Sequence, residues 1–161
     1  MPDSHPLILG EFRRAIDERF RFTIPTELLE PLLGDATDCV LVKERPGSLS
    51  LWSTEKWKER LRGAVGVVES KWQAGRLDSR LHDVQRLGRL LSTRHRDLQL
   101  AGRGRLIIPD GFREFLGAEP SSDVLLVGAA VCVEIWQPAR WIDYLNEGMQ
   151  EFGPLLDELS G

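Results

Sequence analysis

Two stretches of the chain repeat one pattern of apolar and polar positions. RFTIPTELL begins at Arg21, and RLIIPDGFREFLG begins at Arg105. In each stretch an Arg is followed by alternating apolar residues, as in a short strand, and then by a Pro that opens an amphipathic segment. Proline suits the first turn of a helix, because its missing N–H is not needed there. The pattern therefore predicts a strand followed by a short helix, twice.

The residues on either side of these strands predict a second strand and the limits of each helix. In the first copy, GEFRRAID and RFTI are strand candidates joined in a hairpin by a tight, charged turn at residues 18–20; in the second, LQLA and RLII are joined across residues 102–104. We expect Pro25 and Pro109 to begin the helices, and glycines 34 and 117 to end them.

A hairpin and a closing helix complete each copy. CVLVKERPGSLSLW and VLLVGAAVCVEIW each predict a β-hairpin, with Pro-Gly or Gly-Ala-Ala at its turn. STEKWKERL and QPARWIDYL each predict a helix with a Trp on its apolar face. The order in each copy is therefore strand, strand, helix, strand, strand, helix.

The two copies align at one constant spacing along the chain. Six pairs of residues are each separated by 84 positions: Arg21 and Arg105, Pro25 and Pro109, Val40 and Val124, Trp52 and Trp136, Trp57 and Trp141, Leu61 and Leu145. The chain is therefore a tandem duplication of a unit of about 50 residues. Four short strands can hardly bury both faces of their own sheet, so we expect each unit to interlock with its twin.

The segment between the two units has a helical pattern of its own. Apolar residues recur at helical spacing at Leu77, Leu81, Val84, Leu87 and Leu91. This pattern predicts one helix, or a broken pair, over residues 67–93 that packs the two units together. The arginines beside this stripe, Arg76, Arg80, Arg86 and Arg89, form a solvated face, contact phosphate or lie at a subunit interface.

These elements divide the chain into four parts. We expect a first unit at residues 7–64, a helical connector at 65–96, a second unit at 97–147 and a C-terminal tail at 148–161. The length of 161 residues fits one domain, or two small domains that share a core.

Charge is distributed unevenly along the chain. The formal net charge is −4, although a strongly basic domain is the usual sign of a DNA-binding protein. Residues 71–105 carry 9 basic and 3 acidic side chains, whereas residues 106–161 carry 2 basic and 10 acidic ones. The total charge thus argues mildly against nucleic-acid binding, but the basic middle of the chain is able to attract phosphate.

Arginines surround both predicted turns before the repeated strands. The candidate DNA-binding residues are Arg13, Arg14, Arg19 and Arg21 at the first turn, and Arg103 and Arg105 at the second. The planar guanidinium group forms two hydrogen bonds with a phosphate or with the edge of guanine. DNA contact is the interpretation we favour, and surface salt bridges are the alternative.

The doubled phrase resembles the MraZ family of bacterial transcription regulators, in the AbrB-like swapped-hairpin group. The family pattern is Asp-x-x-Gly-Arg, two or three apolar residues, Pro, a short helix and an apolar hairpin ending in Trp, and the resemblance covers about residues 7–147. Asp17 and Arg21 match it in the first copy, and Gly104 and Arg105 match it in the second. Phe20 stands where the family has Gly, and Ala101 stands where it has Asp. Each turn therefore lacks one residue that sets its shape.

The resemblance implies both a fold and a function. The fold is an α+β structure of tandem swapped-hairpin β-barrel units with short helices and a helical connector. The function is sequence-specific regulation of transcription by a homo-oligomeric ring. This ring binds double-stranded DNA at short direct repeats upstream of a division and cell-wall gene cluster and regulates its own expression. The alternative is a diverged assembly or protein-interaction module that has lost DNA reading.

Other classes of protein find little support in the sequence. The histidines, His5, His82 and His95, show no zinc-site spacing with cysteine, and no glycine-rich phosphate loop opens a helix after a strand. We therefore expect no catalytic residue, metal or cofactor. No apolar run approaches the roughly 18 residues of a membrane helix, and MPDSHPLILGEF lacks the features of a signal peptide. This predicts a cytoplasmic, nucleoid-associated protein with no membrane partner.

The cysteines and the paired tryptophans have structural interpretations. Cys39 and Cys132 lie in runs of Val and Leu, which favours small buried side chains over a disulfide or a reactive thiol. The tryptophans that recur with the repeat, Trp52, Trp57, Trp136 and Trp141, are interpreted as core or subunit-contact residues rather than as platforms for base stacking.

Overall fold

The computed structural model describes residues 6–161, so that His5 lies outside the described part of the chain. The first unit contains β1 (Glu11–Ala15), β2 (Arg21–Thr23), α1 (Thr26–Leu33), β3 (Asp38–Arg45), β4 (Ser48–Ser53) and α2 (Thr54–Gln73). A 3-10 turn (Asp78–Arg80) and α3 (Leu81–Thr93) follow. The second unit contains β5 (His95–Gln99), β6 (Arg105–Ile107), α4 (Phe112–Leu116), β7 (Asp123–Gly128), β8 (Val133–Trp136) and α5 (Pro138–Gly148), and a 3-10 turn (Met149–Glu151) leads to α6 (Phe152–Ser160). The predicted order of elements is confirmed in both units.

The two prolines differ in how they begin their helices. Helix α1 starts directly after Pro25, as predicted. Helix α4 starts only at Phe112, so the prediction that Pro109 opens it is wrong by three residues. Gly111 lies between them with a φ of +83°, which is not a helical conformation, and the helix therefore cannot begin before it. Gly117 ends α4 in the left-handed conformation, as predicted.

The strands of each unit pair mainly with strands of the other unit. A six-stranded antiparallel sheet has the order β1-β7-β8-β4-β3-β5, and a separate two-stranded sheet joins β2 to β6. The expected hairpins of β1 with β2 and of β5 with β6 are therefore wrong. Each turn closes only one residue pair, such as Ala101 with Arg105, before its strands diverge into different sheets. This exchange gives the β3–β4 hairpin and the β7–β8 hairpin each an additional neighbouring strand from the other unit, which one unit alone could not supply.

Two of the strand pairings place a residue opposite its own copy in the repeat. Phe22 faces Leu106 between β2 and β6, and Ser50 faces Glu134 between β4 and β8. Both pairs have the repeat spacing of 84 residues. A pseudo-two-fold axis therefore passes between the strands at both places and relates the two units.

One of the aligned pairs shifts by a residue in the structure. Val40 pairs with Trp52, but it is Leu125, rather than Val124, that pairs with Trp136. Strand β3 has a bulge between Lys43 and Arg45, which takes up the additional residue of its hairpin. Without this bulge, a shift of one residue would turn the side chains to the wrong face of the sheet.

Two clusters of apolar side chains cover opposite faces of the six-stranded sheet. The larger cluster joins inner-face residues such as Leu41 and Leu126 to Phe22 and Leu106 of the two-stranded sheet and to helices α1 and α4. The smaller cluster lies under α2, where Trp57 packs with Val40, Val42, Trp52 and Cys132. The two-stranded sheet and α2 therefore lie on opposite sides of the molecule.

The cysteines and tryptophans mostly follow their structural interpretation. Cys39 and Cys132 are buried and free, and burial raises the pKa of both thiols to about 12. Trp52, Trp57 and Trp136 are buried, and the half-buried Trp141 packs against Trp136 with ring centroids 5.3 Å apart. The interpretation of these tryptophans as packing residues is confirmed.

The helical connector does not pack the two units together, contrary to expectation. The connector is a broken pair of helices, which was one of the two predicted forms. However, α3 has no buried residue, and its main contacts are with β5 and the 3-10 turn before it. Helix α2 buries only Trp57 near its start. The units already hold each other through exchanged strands, so the connector is not needed as a clamp. No helix among residues 6–161 has both the length and the apolar character of a bilayer span.

Candidate nucleic-acid interface

The two-stranded sheet of β2 and β6 presents one polar face outward. Arg21 lies opposite Ile107, and Thr23 lies opposite Arg105, whereas the central pair of Phe22 and Leu106 is buried. Successive side chains of a strand point to opposite faces, so the four flanking residues share the outer face. Arg21 and Arg105 are diagonal neighbours there, a relation that places Cα atoms about 7–8 Å apart. We call this face the ribbon face.

Asp17 organises the first turn, residues 17–20. Its Oδ1 accepts hydrogen bonds from the backbone N–H groups of Arg19 at 2.8 Å and Arg21 at 2.9 Å, and its Oδ2 accepts one from the Arg21 Nε at 2.7 Å. The hydrogen bond from the Arg21 amide is the largest cause that holds the pKa of Asp17 below its ordinary value, and the Arg21 guanidinium and the Arg19 amide add to it. Arg21 is therefore held in place, and its charge is partly neutralised.

Phe20 completes the first turn in a conformation that glycine normally provides. Its φ is +58°, in the left-handed region. The guanidinium carbon of Arg113 lies 4.2 Å from the centre of its ring. The departure from the family pattern at Phe20 thus leaves the backbone in a glycine-like shape and adds a contact with the second unit.

Glycine shapes the second turn, residues 101–104. Gly102 and Gly104 have φ values of +52° and +85°, and Ala101 exchanges backbone hydrogen bonds with Arg105 at 3.0 and 2.8 Å. A methyl group on Gly104 would come within 2.7 Å of the end of the Leu29 side chain, and its φ is one that a Cβ atom disfavours, so this position favours glycine. Ala101 has no side-chain acceptor that could take the part of Asp17.

The arginines of the second turn are more accessible than Arg21. Arg103 and Arg105 are both exposed, and neither forms an ion pair with any residue in the range 6–161. The side chain of Arg21 is only 33% exposed. The ribbon face therefore carries one arginine held by a carboxylate and one that is open to a partner.

Arg13 and Arg14 lie apart from the ribbon face, because β1 belongs to the six-stranded sheet. Arg13 forms an ion pair of 3.1 Å with Asp123 on β7. Arg14 donates to the carbonyl of Arg13 at 2.9 Å, and its guanidinium lies 5.7 Å from the ring of Phe12. The expectation that these two arginines flank the same hairpin tip as Arg19 and Arg21 is therefore wrong in its geometry.

The connector also uses its arginines in local ion pairs. Arg80 and Arg86 both approach Asp83, at 2.8 and 3.6 Å. The hydrogen bond from Arg80 is the largest cause that lowers the pKa of Asp83. Both arginines are exposed, as expected for a solvated helix face.

Three residues of this region escaped the sequence interpretation. Thr23 and Ile107 share the ribbon face with the arginines, which the alternation in RFTI and RLII could have shown. Arg113 of the second unit contacts the first turn. The sequence signal that could have identified it was its position in the repeat, where the first unit has Leu29. Among the described residues, no group of three or more His, Cys, Asp or Glu is placed to hold a metal ion.

The sequence of this chain, which has a mixed α+β fold with antiparallel sheets, is similar to those of known proteins. Residues 93–153 match the family model described as "MraZ protein". The chain is 26% identical over 153 residues to the transcriptional regulator MraZ of Syntrophomonas wolfei, covering 95% of this chain and 96% of that protein. It is 28% identical over 153 residues to the protein of the same name from Heliobacterium modesticaldum, with the same coverage of each chain.

These matches define a class of transcriptional regulators rather than of enzymes. The relatives are similar over nearly the whole chain, so that both units and the connector take part in the likeness. Over nearly its whole length the chain is similar to transcriptional regulators named MraZ, and the resemblance inferred from its doubled motif is confirmed.

Proposed function

We propose that this chain is a sequence-specific DNA-binding regulator that inserts its ribbon face into the major groove of double-stranded DNA. The observation that carries the proposal is the position of Arg21 and Arg105 on the outward face of a two-stranded antiparallel sheet. The major groove of B-DNA admits such a β-ribbon, and arginine recognises guanine there through two hydrogen bonds. The buried pair of Phe22 and Leu106 fixes the ribbon to the core and sets its orientation.

The turns before the two strands supply the flanking contacts in this proposal. Because β2 and β6 are antiparallel, their preceding turns lie at opposite ends of the ribbon. Arg19 and Arg103 are exposed in these turns and would approach phosphates on either side of the groove. Arg13 and Arg14, in the other sheet, remain candidates for a more distant backbone contact.

The proposed architecture is a pair of swapped-hairpin units of the AbrB-like type. The exchange of β1 and β5 between the units supports it, as does the pseudo-two-fold relation of the ribbon strands. In this division the first unit occupies residues 7–64, the connector 65–96, the second unit 97–147 and the tail 148–161, so that α2 continues from the first unit into the connector and β5 begins at the end of the connector.

We also propose that copies of the chain assemble into a closed ring. Large apolar side chains are exposed on α3, at Leu81 and Leu90, and on α6, at Leu155 and Leu159. The two surfaces lie in parts of the chain of opposite net charge, which favours contact of one copy with the next. A head-to-tail contact that closes on itself forms a ring, and a ring presents its ribbon faces at equal intervals in one direction. Such an array suits short direct repeats, which we place upstream of a division and cell-wall gene cluster, in a cytoplasmic, nucleoid-associated complex that regulates its own expression.

Selection of bound fragments from a random double-stranded DNA library tests DNA reading directly. We expect recovery of a short motif in direct repeats, with an affinity that falls as salt rises because phosphate contacts release counterions. If no motif is enriched, or if binding is independent of salt, the DNA-binding proposal fails. The alternative is then an oligomeric assembly module, which the ion pairs of Arg21 with Asp17 and of Arg13 with Asp123 favour.

A further inference from the structure

Phe20 and Arg113 are replacements at two repeat positions that touch each other. In the second turn, Leu29 of α1 lies against Gly104. The positions 84 residues away from this pair hold Arg113 in place of leucine and Phe20 in place of glycine. These two also touch, with the guanidinium carbon 4.2 Å from the ring centre. In the second turn, a glycine thus lies against a leucine side chain. In the first turn, a phenylalanine lies against an arginine guanidinium.

The guanidinium of Arg113 is fixed before it reaches the Phe20 ring. Its Nε donates to the carbonyl of Ile108, and its Nη1 donates to the Asp110 carboxylate at 3.0 Å. The side chain is 26% exposed. The face of an aromatic ring attracts a cation placed over it, and this attraction is strongest where water is excluded. Arg113 is therefore a rigid support that spans from the second unit to the turn of the first.

Phe20 needs such support because its backbone conformation is unfavourable. A residue with a Cβ atom meets steric strain at its φ of +58°, whereas Gly104 does not at +85°. The Phe20 N–H donates to the carbonyl of Asp17 at 3.1 Å, and the Phe20 carbonyl accepts from the Ile108 N–H at 2.9 Å. The ring contact and these two hydrogen bonds hold the residue in a conformation that its side chain disfavours.

We propose that Arg113 is a positioning residue that holds the first turn, and with it Arg19 and Arg21, in the shape that glycine gives to the second turn. Its charge is already matched by Asp110, so it acts through the Phe20 ring rather than as another phosphate contact. The importance of this turn for DNA binding rests on the proposed function, but the positioning itself is measurable without DNA.

Hydrogen exchange of the full-length, DNA-free protein tests the positioning. The N–H groups of Arg19, Phe20 and Arg21 all donate within the first turn and serve as probes. Arg113→Leu should accelerate their exchange at least about tenfold while leaving the second turn, residues 101–104, unchanged, because local opening exposes only the released segment. Arg62→Leu, which removes the same charge from α2 on the far side of the sheet, is the matched control. Unchanged exchange in the first turn, or an equal acceleration in both turns, would overturn the proposal.

A paired replacement separates positioning from general damage to the fold. Phe20→Gly with Arg113→Leu copies the pair of the second turn into the first, and it should return exchange to within about threefold of the wild-type rate. Acceleration in the double variant as large as in Arg113→Leu would contradict the idea that the two residues act as a pair. Binding of the library-selected DNA is measured in parallel. A loosened turn with unchanged DNA affinity would uphold the positioning role and count against the first turn as a DNA contact.

Discussion

Arg105 should contribute more to DNA binding than Arg21, although the repeat makes them equivalent. Arg105 is exposed and forms no ion pair with residues 6–161, so the donors of its side chain are available. Arg21 is 33% exposed, and its Nε is engaged by Asp17 at 2.7 Å. We therefore expect Arg105→Ala to lower the logarithm of affinity at least about twice as much as Arg21→Ala does.

The size of the effect depends on what Arg105 contacts. Loss of one phosphate contact should lower the salt slope of binding by about 0.9. Loss of a bidentate base contact should cost about 1–3 kcal/mol of discrimination, or roughly 5- to 150-fold. For Arg21, an additional change complicates the comparison, because its removal exposes the Asp17 carboxylate near DNA. Asp17→Asn keeps an acceptor for the two backbone N–H groups but removes this charge, so the comparison is repeated in that background.

Fluorescence anisotropy with a library-selected fragment over a salt series measures both quantities. Arg62→Ala on α2 removes an exposed arginine from the opposite side of the sheet and should leave specific binding unchanged. Asp17→Asn alone should strengthen binding, since it frees the charge of Arg21. If Arg21→Ala costs as much as Arg105→Ala in both backgrounds, the role assigned to the Asp17 ion pair is wrong. Wild-type affinity in the double alanine variant would remove the ribbon face as the DNA site.

Further measurements test the interlock, the assembly and the first turn. Residues 1–66 and 95–161 expressed apart should each be poorly folded by circular dichroism, and two monomeric halves that melt cooperatively would contradict the interlock of the units. Sedimentation at micromolar concentration should show a species well above 18.2 kDa, whereas a strict monomer would count against the ring. Leu106→Ala removes a side chain that is 1% exposed and should lower the free energy of unfolding in urea by about 2–5 kcal/mol; a loss near zero would show that the ribbon does not hold the units together. Asp17 has a lowered pKa, so its stabilising effect is present above its unfolded pKa of about 3.9 and is lost as pH falls through the folded value. Asp17→Asn should therefore weaken the dependence of stability on pH below about 4, and identical acid titrations of the two proteins would refute this.

The sequence by itself determined the repeat, the order of elements and much of the core. Strand alternation, Pro25, and the glycines at 34 and 117 act over a few residues, so their effects are readable locally. The burial of Cys39 and Cys132 followed from the apolar runs around them for the same reason. The departure at Phe20 was also visible, because the repeat supplied an internal standard in Gly104.

Beyond the two predicted hairpins, β3 with β4 and β7 with β8, the tertiary structure alone decided which strands meet. A strand with alternating apolar residues pairs equally well with a strand of its own unit or of the other unit. The choice between them depends on the total surface area that the assembled units bury. That choice brought Arg21 and Arg105 onto one face and left Arg13 and Arg14 in another sheet. It also made a clamp at the connector unnecessary, which is why a clear helical stripe remains half exposed.

The contact between Arg113 and Phe20 shows the same limit at the level of one side chain. In the sequence, Phe20 was a departure without an evident partner and Arg113 escaped interpretation, since 93 positions separate them in the chain. The exchange of strands places α4 of the second unit beside the turn of the first, and the ring then lies under the guanidinium. The local sequence thus showed which turn lacks its glycine, whereas long-range packing decided which side chain supports that turn.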